Sequence, residues 1–341
     1  MIHENNTLKE SIMTKVFKLM AATSLLVSSM IAAEYTIKVT HVVSPNTPKG
    51  MAADFFAKRV GELSSGKVEV IVFPNSQLYG DGEEMKALKL GNAHIAMPSF
   101  SKFTSIVPEM QLFDLPFIFR DKDHLYKVLD GEVGQILKDK VTAKGFVALD
   151  YWDAGFKHLS SNKKAILAPK DAEGQKFRIM SSHVLEAQFK AIGANPQVLP
   201  FSEVYSALQQ GVVDGAENPL SNFYTKKFNE VQTDLTLSDH GYLGYLVIMS
   251  EHFWKKFPND LKPVVIQAMK EATEYERKLA AKDDEETLEK LKEYAKSSGN
   301  LKIHTLTAEQ KATWQKSMEA IYPQFYKVVG EDLIKKVQAV K

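Results

Sequence analysis

The chain has 341 residues, 44% hydrophobic and 25% charged, with 18 glycines and 13 prolines, an ordinary globular composition that excludes low-complexity and collagen-like chains. Its 43 Lys and Arg against 42 Asp and Glu leave a net charge of +1, too small a field to hold nucleic acid. Cysteine is absent, which removes thiol nucleophiles, thiolate metal sites and disulfides together and leaves stability to the core.

Residues 1–12 are polar and precede Met13, the better initiator, so they read as a start-site extension. A basic flank at Lys15 and Lys18 is followed by about 15 apolar or small residues ending at Ala33, the pattern of a secretory signal and too short for a comfortable membrane span. Cleavage is expected near Ala32 or Ala33. No other long apolar run occurs, so the mature chain is expected to be exported and soluble.

Tyr35 to His41 carries β-branched residues with period two and predicts a strand. Ala52, Phe56, Val60 and Leu63 then share one helical face, and Lys67 to Phe73 is a second strand. Strand, helix, strand is the pattern of an α/β lobe. A helix from Met85 stops at Gly91, a short buried strand follows at His94 to Met97, and a helix over about Lys122 to Ala143 precedes a strand from Gly145 to Trp152. A second lobe is expected from Phe156, with strands at Gln175 to Met180 and Gln197 to Pro200, a helix from Ser182 to Ile192, and another helix N-capped by Ser202. Asp260 to Lys296 predicts one long charged helix, on the order of 50 Å at ~1.5 Å per residue, long enough to brace both lobes. Thr307 with Gln310 forms a capping box for a last helix.

A weak internal repeat links MKALKLGNAHIA (Met85 to Ala96) with YSALQQGVVDGA (Tyr205 to Ala216), in which Ala87, Leu88 and Gly91 correspond to Ala207, Leu208 and Gly211. Each copy ends a helix at a glycine suited to a positive-φ cap and continues as a short strand. The segments after those strands, Pro98-Ser99 and Asn218-Pro219, would then face one cleft, because ligands of open α/β sheets bind beyond strand C-terminal ends.

Catalytic signatures are missing: the chain has no GxSxG elbow, no HExxH, no phosphate-cradling GxxxxGK[ST], and its nine histidines are scattered. Asp153, His158 and Ser160 lie close in sequence, but residue types this common do not make a triad. Arginine is the informative residue. Of only four, Arg178 alone sits inside a strand-like apolar run (KFRIM, Lys176 to Met180), where a guanidinium needs an anion, either an internal carboxylate or a ligand. Asn218 follows the second repeat's strand, where its amide can donate to the same carboxylate or close an Asx turn before Pro219.

The segments QKFRIM (Gln175 to Met180) and PFSEVYSALQQGVVDGAENPL (Pro200 to Leu220), with FPNSQL at Phe73, GANP at Gly193 and KFNEVQ at Lys227, carry a resemblance. The sequence resembles the extracytoplasmic substrate-binding proteins of tripartite ATP-independent periplasmic (TRAP) transporters, nearest the dicarboxylate-binding DctP-type branch, over about residues 35–335. The resemblance implies an α/β, two-lobed periplasmic binding protein fold with a long helix bracing both lobes and a ligand cleft between them. It implies a periplasmic, monomeric receptor with no cofactor and no catalysis, which delivers a small organic acid to the membrane permease subunits of a TRAP transporter. The strand arginine that pairs with the substrate carboxylate falls on Arg178 and the motif asparagine on Asn218. A frequent second cation falls on Lys157, a point charge where the family often has the arginine fork. Phe201 matches a cleft wall, Ser99 and Ser181 match cleft-lining polar positions, and Lys49 matches the lysine used for a distal carboxylate. His41 ends the first strand within reach of a ligand, and His240 matches a position that either touches ligand or supports the hinge.

The expected division is 1–33 as extension and signal, 34–155 plus about 246–280 as lobe I, and 156–245 plus about 281–341 as lobe II. The expected ligand is a C4-dicarboxylate such as succinate, malate or fumarate. Another carboxylate (sugar acid, keto or aromatic acid, amino acid) on the same fold is the second reading, and an exported hydrolase a distant third.

Overall fold

Alternating β-branched residues build the first strand, β1 (Tyr35–Thr40), which runs parallel to β2 (Val68–Phe73) with Tyr35 opposite Val68 and Thr40 opposite Phe73. This computed structural model describes residues 33–341; the start-site extension and the signal up to Ala32 lie outside the described residues. Helix α1 (Pro48–Leu63) joins the two strands. Thr47 caps it by accepting from the N–H of Gly50, and Ala52, Phe56 and Val60 are buried on the face that their spacing predicts. Helix α2 (Glu84–Leu90) ends at Gly91 with φ 74 and leads into β3 (Ile95–Ala96), parallel to β1.

The single helix expected over Lys122 to Ala143 is two, α3 (Lys122–Asp130) and α4 (Glu132–Thr142), because Gly131 takes an extended conformation between them. Strand β4 is twice the expected length, Phe146–Ser161. The second lobe supplies β5 (Lys176–Ile179), α5 (His183–Ala191), β6 (Asn195–Val198), α6 (Val204–Gln209) and β7 (Gly215–Asn218), then α7 (Leu220–Thr225) and a second long strand, β8 (Asp234–Ser250). Ser202 does not cap α6: it is exposed in a 3-10 turn, and the helix starts only at Val204, without a side-chain cap. Helix α8 (Lys262–Ser298) follows, then β9 (Lys302–Thr305), α9 (Ala308–Glu319) with the reciprocal Thr307 and Gln310 capping box, and α10 (Glu331–Ala339). No helix among the described residues is long and apolar enough to cross a membrane.

The strands form one sheet in the order β2-β1-β3-β8-β4-β7-β5-β6, with β9 beside β8. The repeat is visible in this order. β1 pairs parallel with both β2 and β3, β5 pairs parallel with both β6 and β7, and the third strand of each set runs antiparallel to one strand of the central pair. The pair β4 and β8 thus passes from one lobe to the other, with register shifts at Ala148/Asp150, Asp153/Gly155 and Lys157/Leu159. Such bulges bend a ladder locally while pairing continues on both sides.

Helix α8 has 37 residues, ~55 Å at ~1.5 Å each. Its Val265, Ala268 and Ala272 pack in one cluster with Ile37, Ala52 and Phe56 of the first lobe. Its Leu291 packs in another with Phe201, Leu220 and Phe223 of the second. The C-terminal segment packs against residues that the expected division gives to lobe I. Ile321, Phe325, Leu333 and Val337 pack with Met110, Leu125 and Leu137, Tyr322 donates to the Pro116 carbonyl at 2.7 Å, and Arg120 donates to the Val340 carbonyl at 2.6 Å. That stripe needed an apolar cover, and its sequence does not say which lobe provides one.

Gly215 is where β7 enters the ladder, and a Cβ there would lie 2.3 Å from the Ser160 carbonyl oxygen and 2.7 Å from the Phe177 ring. Gly215→Ala is expected to cost about 2 kcal/mol of stability by overpacking, measured by denaturant unfolding. An unchanged midpoint would contradict this close approach.

Candidate functional site

The two equivalent strand ends meet at one cavity. Ser99, just past β3, and Asn218, which ends β7, both line it. The first lobe contributes Val42, Val43 and Asp81, the second Arg178, Met180 and Phe201, and the crossing strands Lys157, Leu243 and Tyr245.

Arg178 is buried in β5. Its Nε and Nη2 both donate to the Leu199 carbonyl, at 3.0 and 2.9 Å. Nη2 lies 3.8 Å from Asp81 Oδ2, beyond hydrogen-bond distance. Nη1 has no hydrogen-bond partner among the described residues. Burial pulls the Arg178 pKa down against the fields of Asp81 and Glu217, yet a guanidinium does not give up its proton in a protein. A buried cation whose full hydrogen bonds go to one neutral carbonyl is under-compensated. Asn218 has a matching deficit: it is buried opposite His158 in the sheet, and its Nδ2 donor has no partner. Buried donors rarely stay unpaired in the working state of a protein.

Lys157 also borders the cavity, but its charge is already spent. Its buried Nζ lies 2.7 Å from Glu217 Oε1, while Glu217 Oε2 accepts from His240 Nε2 at 2.8 Å and from Gln188 Nε2 at 3.3 Å. His240 Nδ1 is then free to accept from the Ser238 hydroxyl at 2.8 Å. Burial pushes the Glu217 carboxyl up, but the Lys157 charge and the His240 hydrogen bond outweigh it and hold it at about 2. Burial also pulls His240 down, opposed by Glu217. Lys157 is therefore the partner of an internal carboxylate rather than a free second prong. His240 is buried beneath Glu217 and is not among the residues that line the cavity.

Lys49 and His41 stand one layer back. Lys49 Nζ donates to the Met97 carbonyl at 3.1 Å and lies 3.5 Å above the ring of Tyr245, which does face the cavity. Burial lowers Lys49 to about 8 against the fields of Glu84 and Asp81. Glu84 is fully buried with neither oxygen hydrogen-bonded, and burial lifts it to about 8. His41 is buried with both ring nitrogens unpartnered, and burial with the nearby Lys49 charge drives it down to about 3, so it is neutral. Phe201 forms a wall, with Arg178 and Lys226 5.6 and 5.4 Å from its ring centre. Ser99 spends its hydroxyl on Ser101 at 3.0 Å. Ser181 lies outside: the turn that bonds the Ser182 N–H to the Met180 carbonyl leaves Met180 on the cavity and sends Ser181 to an outer crevice with Lys102 and Thr104.

Sequence reasoning missed four polar residues here. Glu217 stood inside the motif that drew attention to Asn218, and its signal was an acid in an apolar strand. Asp81 lies between Gly80 and Gly82, a loop pattern that points to no site. Tyr245 lies on β8, which periodicity did not detect, and Asn222 donates to its hydroxyl at 3.4 Å.

Comparison with known proteins adds to this geometry. The sequence profile described as bacterial extracellular solute-binding protein, family 7 (DctP) matches residues 39–328. The C4-dicarboxylate-binding periplasmic protein DctP of Rhodobacter capsulatus is 44% identical over 310 residues, covering 91% of this chain and 92% of that one. A TRAP periplasmic solute binding protein from Sulfurospirillum deleyianum, solved with bound succinate, is 90% identical with TM-score 0.90, covering 91% of this chain and 100% of that one. The sugar acid binding protein DctPAm of Advenella mimigardefordensis, solved with galactonate, is 33% identical with TM-score 0.86, covering 90% and 97%.

The Lys157–Glu217–His240 chain makes a test of its own. Glu217→Gln leaves Lys157 buried without its counter-ion and is expected to cost about 3 kcal/mol at neutral pH. The folded-state pKa of Glu217 is depressed from 4.5, so its contribution is complete above about 4.5 and is lost as pH falls towards about 2. Melting followed from pH 7 to pH 3 should show a shallower decline below pH 4.5 in the variant. Parallel curves of equal height would refute the ion pair.

Proposed function

The chain belongs to the bacterial extracellular solute-binding proteins of family 7, and on that premise we propose that it captures an organic acid in the periplasm for the membrane permease subunits of a TRAP-type secondary transporter. The observation that carries the reading is the convergence on one cavity of two unspent donors, Arg178 Nη1 and Asn218 Nδ2. A carboxylate matches both: one oxygen accepts from the guanidinium and the same group accepts from the amide. Phe201 covers the guanidinium and keeps water from competing. The function is binding without turnover, by a monomer. The apolar leader and relatives named as periplasmic support the location.

The ligand of this reading is a C4-dicarboxylate, such as succinate, malate or fumarate. Two relatives support it, one named for C4-dicarboxylate binding and one holding succinate. Lys49 is the cation we assign to the second carboxylate, reaching past Tyr245 from behind the wall, while Lys157 borders that end with its charge neutralised by Glu217. His41 and Ser99 flank the same side without a direct charge. Of the lobe division, 34–155 and about 246–280 remain our lobe I and 156–245 our lobe II. Closure of the two over the acid follows from the differential contacts of the ligand with the closed form. A sugar acid is the second reading, favoured by the galactonate-bound relative, and it keeps Arg178 and Asn218 while changing the distal contacts.

Calorimetric titration with succinate, malate, fumarate, galactonate and single monocarboxylates tests this. Arg178→Ala is expected to weaken every binding acid by about 100-fold and Asn218→Ala by about tenfold, since charge-assisted hydrogen bonds contribute roughly 1.5–3 kcal/mol each. Wild-type affinity in Arg178→Ala would sink the carboxylate assignment. Lys49→Met should weaken dicarboxylates and spare monocarboxylates. Binding of sugar acids alone would retain the arginine and remove the distal lysine.

A further inference from the structure

Asp81 is a carboxylate standing inside a cavity that, on the reading above, selects carboxylates. It sits in the loop between β2 and α2, flanked by Gly80 and by Gly82 at φ 86, and its side chain is only 8% exposed. Its Oδ2 accepts from the backbone N–H of Phe201 at 2.9 Å. The same oxygen lies 3.4 Å from Lys102 Nζ and 3.8 Å from Arg178 Nη2. Asp81 and Lys102 belong to the first lobe, Phe201 and Arg178 to the second. One carboxylate oxygen therefore ties the lobes together at the wall of the ligand cavity.

Two roles fit a carboxylate in this place, with opposite consequences. As an occupant of the ligand's position it would have to be expelled before an acid could bind. As a fastener it would stay while the acid binds beside it. The distances favour the second role. The short bond goes to the backbone N–H of Phe201, not to the guanidinium. The separation from Arg178 exceeds hydrogen-bond distance, and Arg178 Nη1 is left without a partner among the described residues. Lys102 balances the charge. An incoming carboxylate can take the open side of the guanidinium without displacing Asp81.

We propose that Asp81 is a positioning residue that latches the first-lobe loop onto Phe201 beside Arg178, so that its hydrogen bond sets how fast the closed form opens and releases bound acid. It acts through Phe201, holding the aromatic wall over the guanidinium, and through the cross-lobe bond itself. The rate of opening, rather than the rate of encounter, carries its effect, because the latch forms only once the lobes have met. This rests on the reading of the cavity as an acid-binding cleft.

Stopped-flow binding and displacement with succinate provide the first readout. Asp81→Ala is expected to raise the dissociation rate about tenfold, the loss of one charged cross-lobe bond, with the association rate within about twofold of wild type. Asp81→Asn keeps an acceptor for the Phe201 N–H but no charge for Lys102, and should fall between. Tighter binding by Asp81→Ala would make the carboxylate a competitor and overturn the proposal, as would an unchanged dissociation rate. A second readout needs no acid. The chain lacks cysteine, so Lys86→Cys and Ser206→Cys, at equivalent exposed positions of the repeat on α2 and α6, admit two spin labels whose separation reports lobe closure. Without ligand, Asp81→Ala should shift the distances towards longer values. If wild type binds no acid yet this shift appears, the functional reading fails and the latch stands; identical distance distributions in both proteins overturn the latch.

Discussion

Two antiparallel strands that run through both lobes carry the architecture. β4 and β8 stay paired from Phe146 opposite Ser250 to Ser161 opposite Asp234, and both three-strand parallel sets hang from this pair, one through β3 and one through β7. Lys157, His240, Leu243 and Tyr245 all sit on these two strands, and Glu217 and Asn218 pair with β4, opposite Leu159 and His158. The floor of the cavity is therefore continuous with the connection between the lobes. The register shifts near Asp153 and Lys157 place the irregular part of the ladder beside the cavity, where a small change in bend moves the two walls relative to each other.

Burying so many charged groups at one place is costly unless each finds a partner. Lys157, Glu217 and His240 satisfy one another and become a fixed, nearly neutral scaffold. Asp81 is held by Lys102 and the Phe201 N–H. Subtracting these closed accounts leaves the donors of Arg178 and Asn218 facing the cavity with capacity to spare. Their chemistry, a planar cation beside an amide, suits a carboxylate. Helix α8 gives the arrangement its frame, with one end in the apolar cluster of the first lobe and the other in that of the second.

Much of this was legible residue by residue. Arg178 stood out because a lone arginine in an apolar strand has to meet an anion, and Asn218 because a repeat placed it after a strand end. The repeat itself reappears in the sheet order. Other features could not be read. β8 is buried on both faces, so its run from Tyr242 to Met249 lacks the alternation that marks a half-buried strand. Lys157 looked like a free cation because Glu217 lies 60 residues away and nothing in either segment announces their pairing. Ser181 and Met180 are adjacent, and only the turn after β5 decides which of them faces the cavity.

Local physics thus settled what is local in cause: the helical faces, the glycine and Thr307 caps, the length of α8, and the kinds of side chain able to bind an acid. The tertiary structure decided which of those side chains remain available. It closed Lys157 onto Glu217, set His240 beneath it, put Lys49 behind Tyr245, brought Asp81 across to Phe201, and folded the C-terminal stripe onto the first lobe. The reason is that a charge is defined by its partners, and partners distant along the chain become neighbours only when the sheet is assembled.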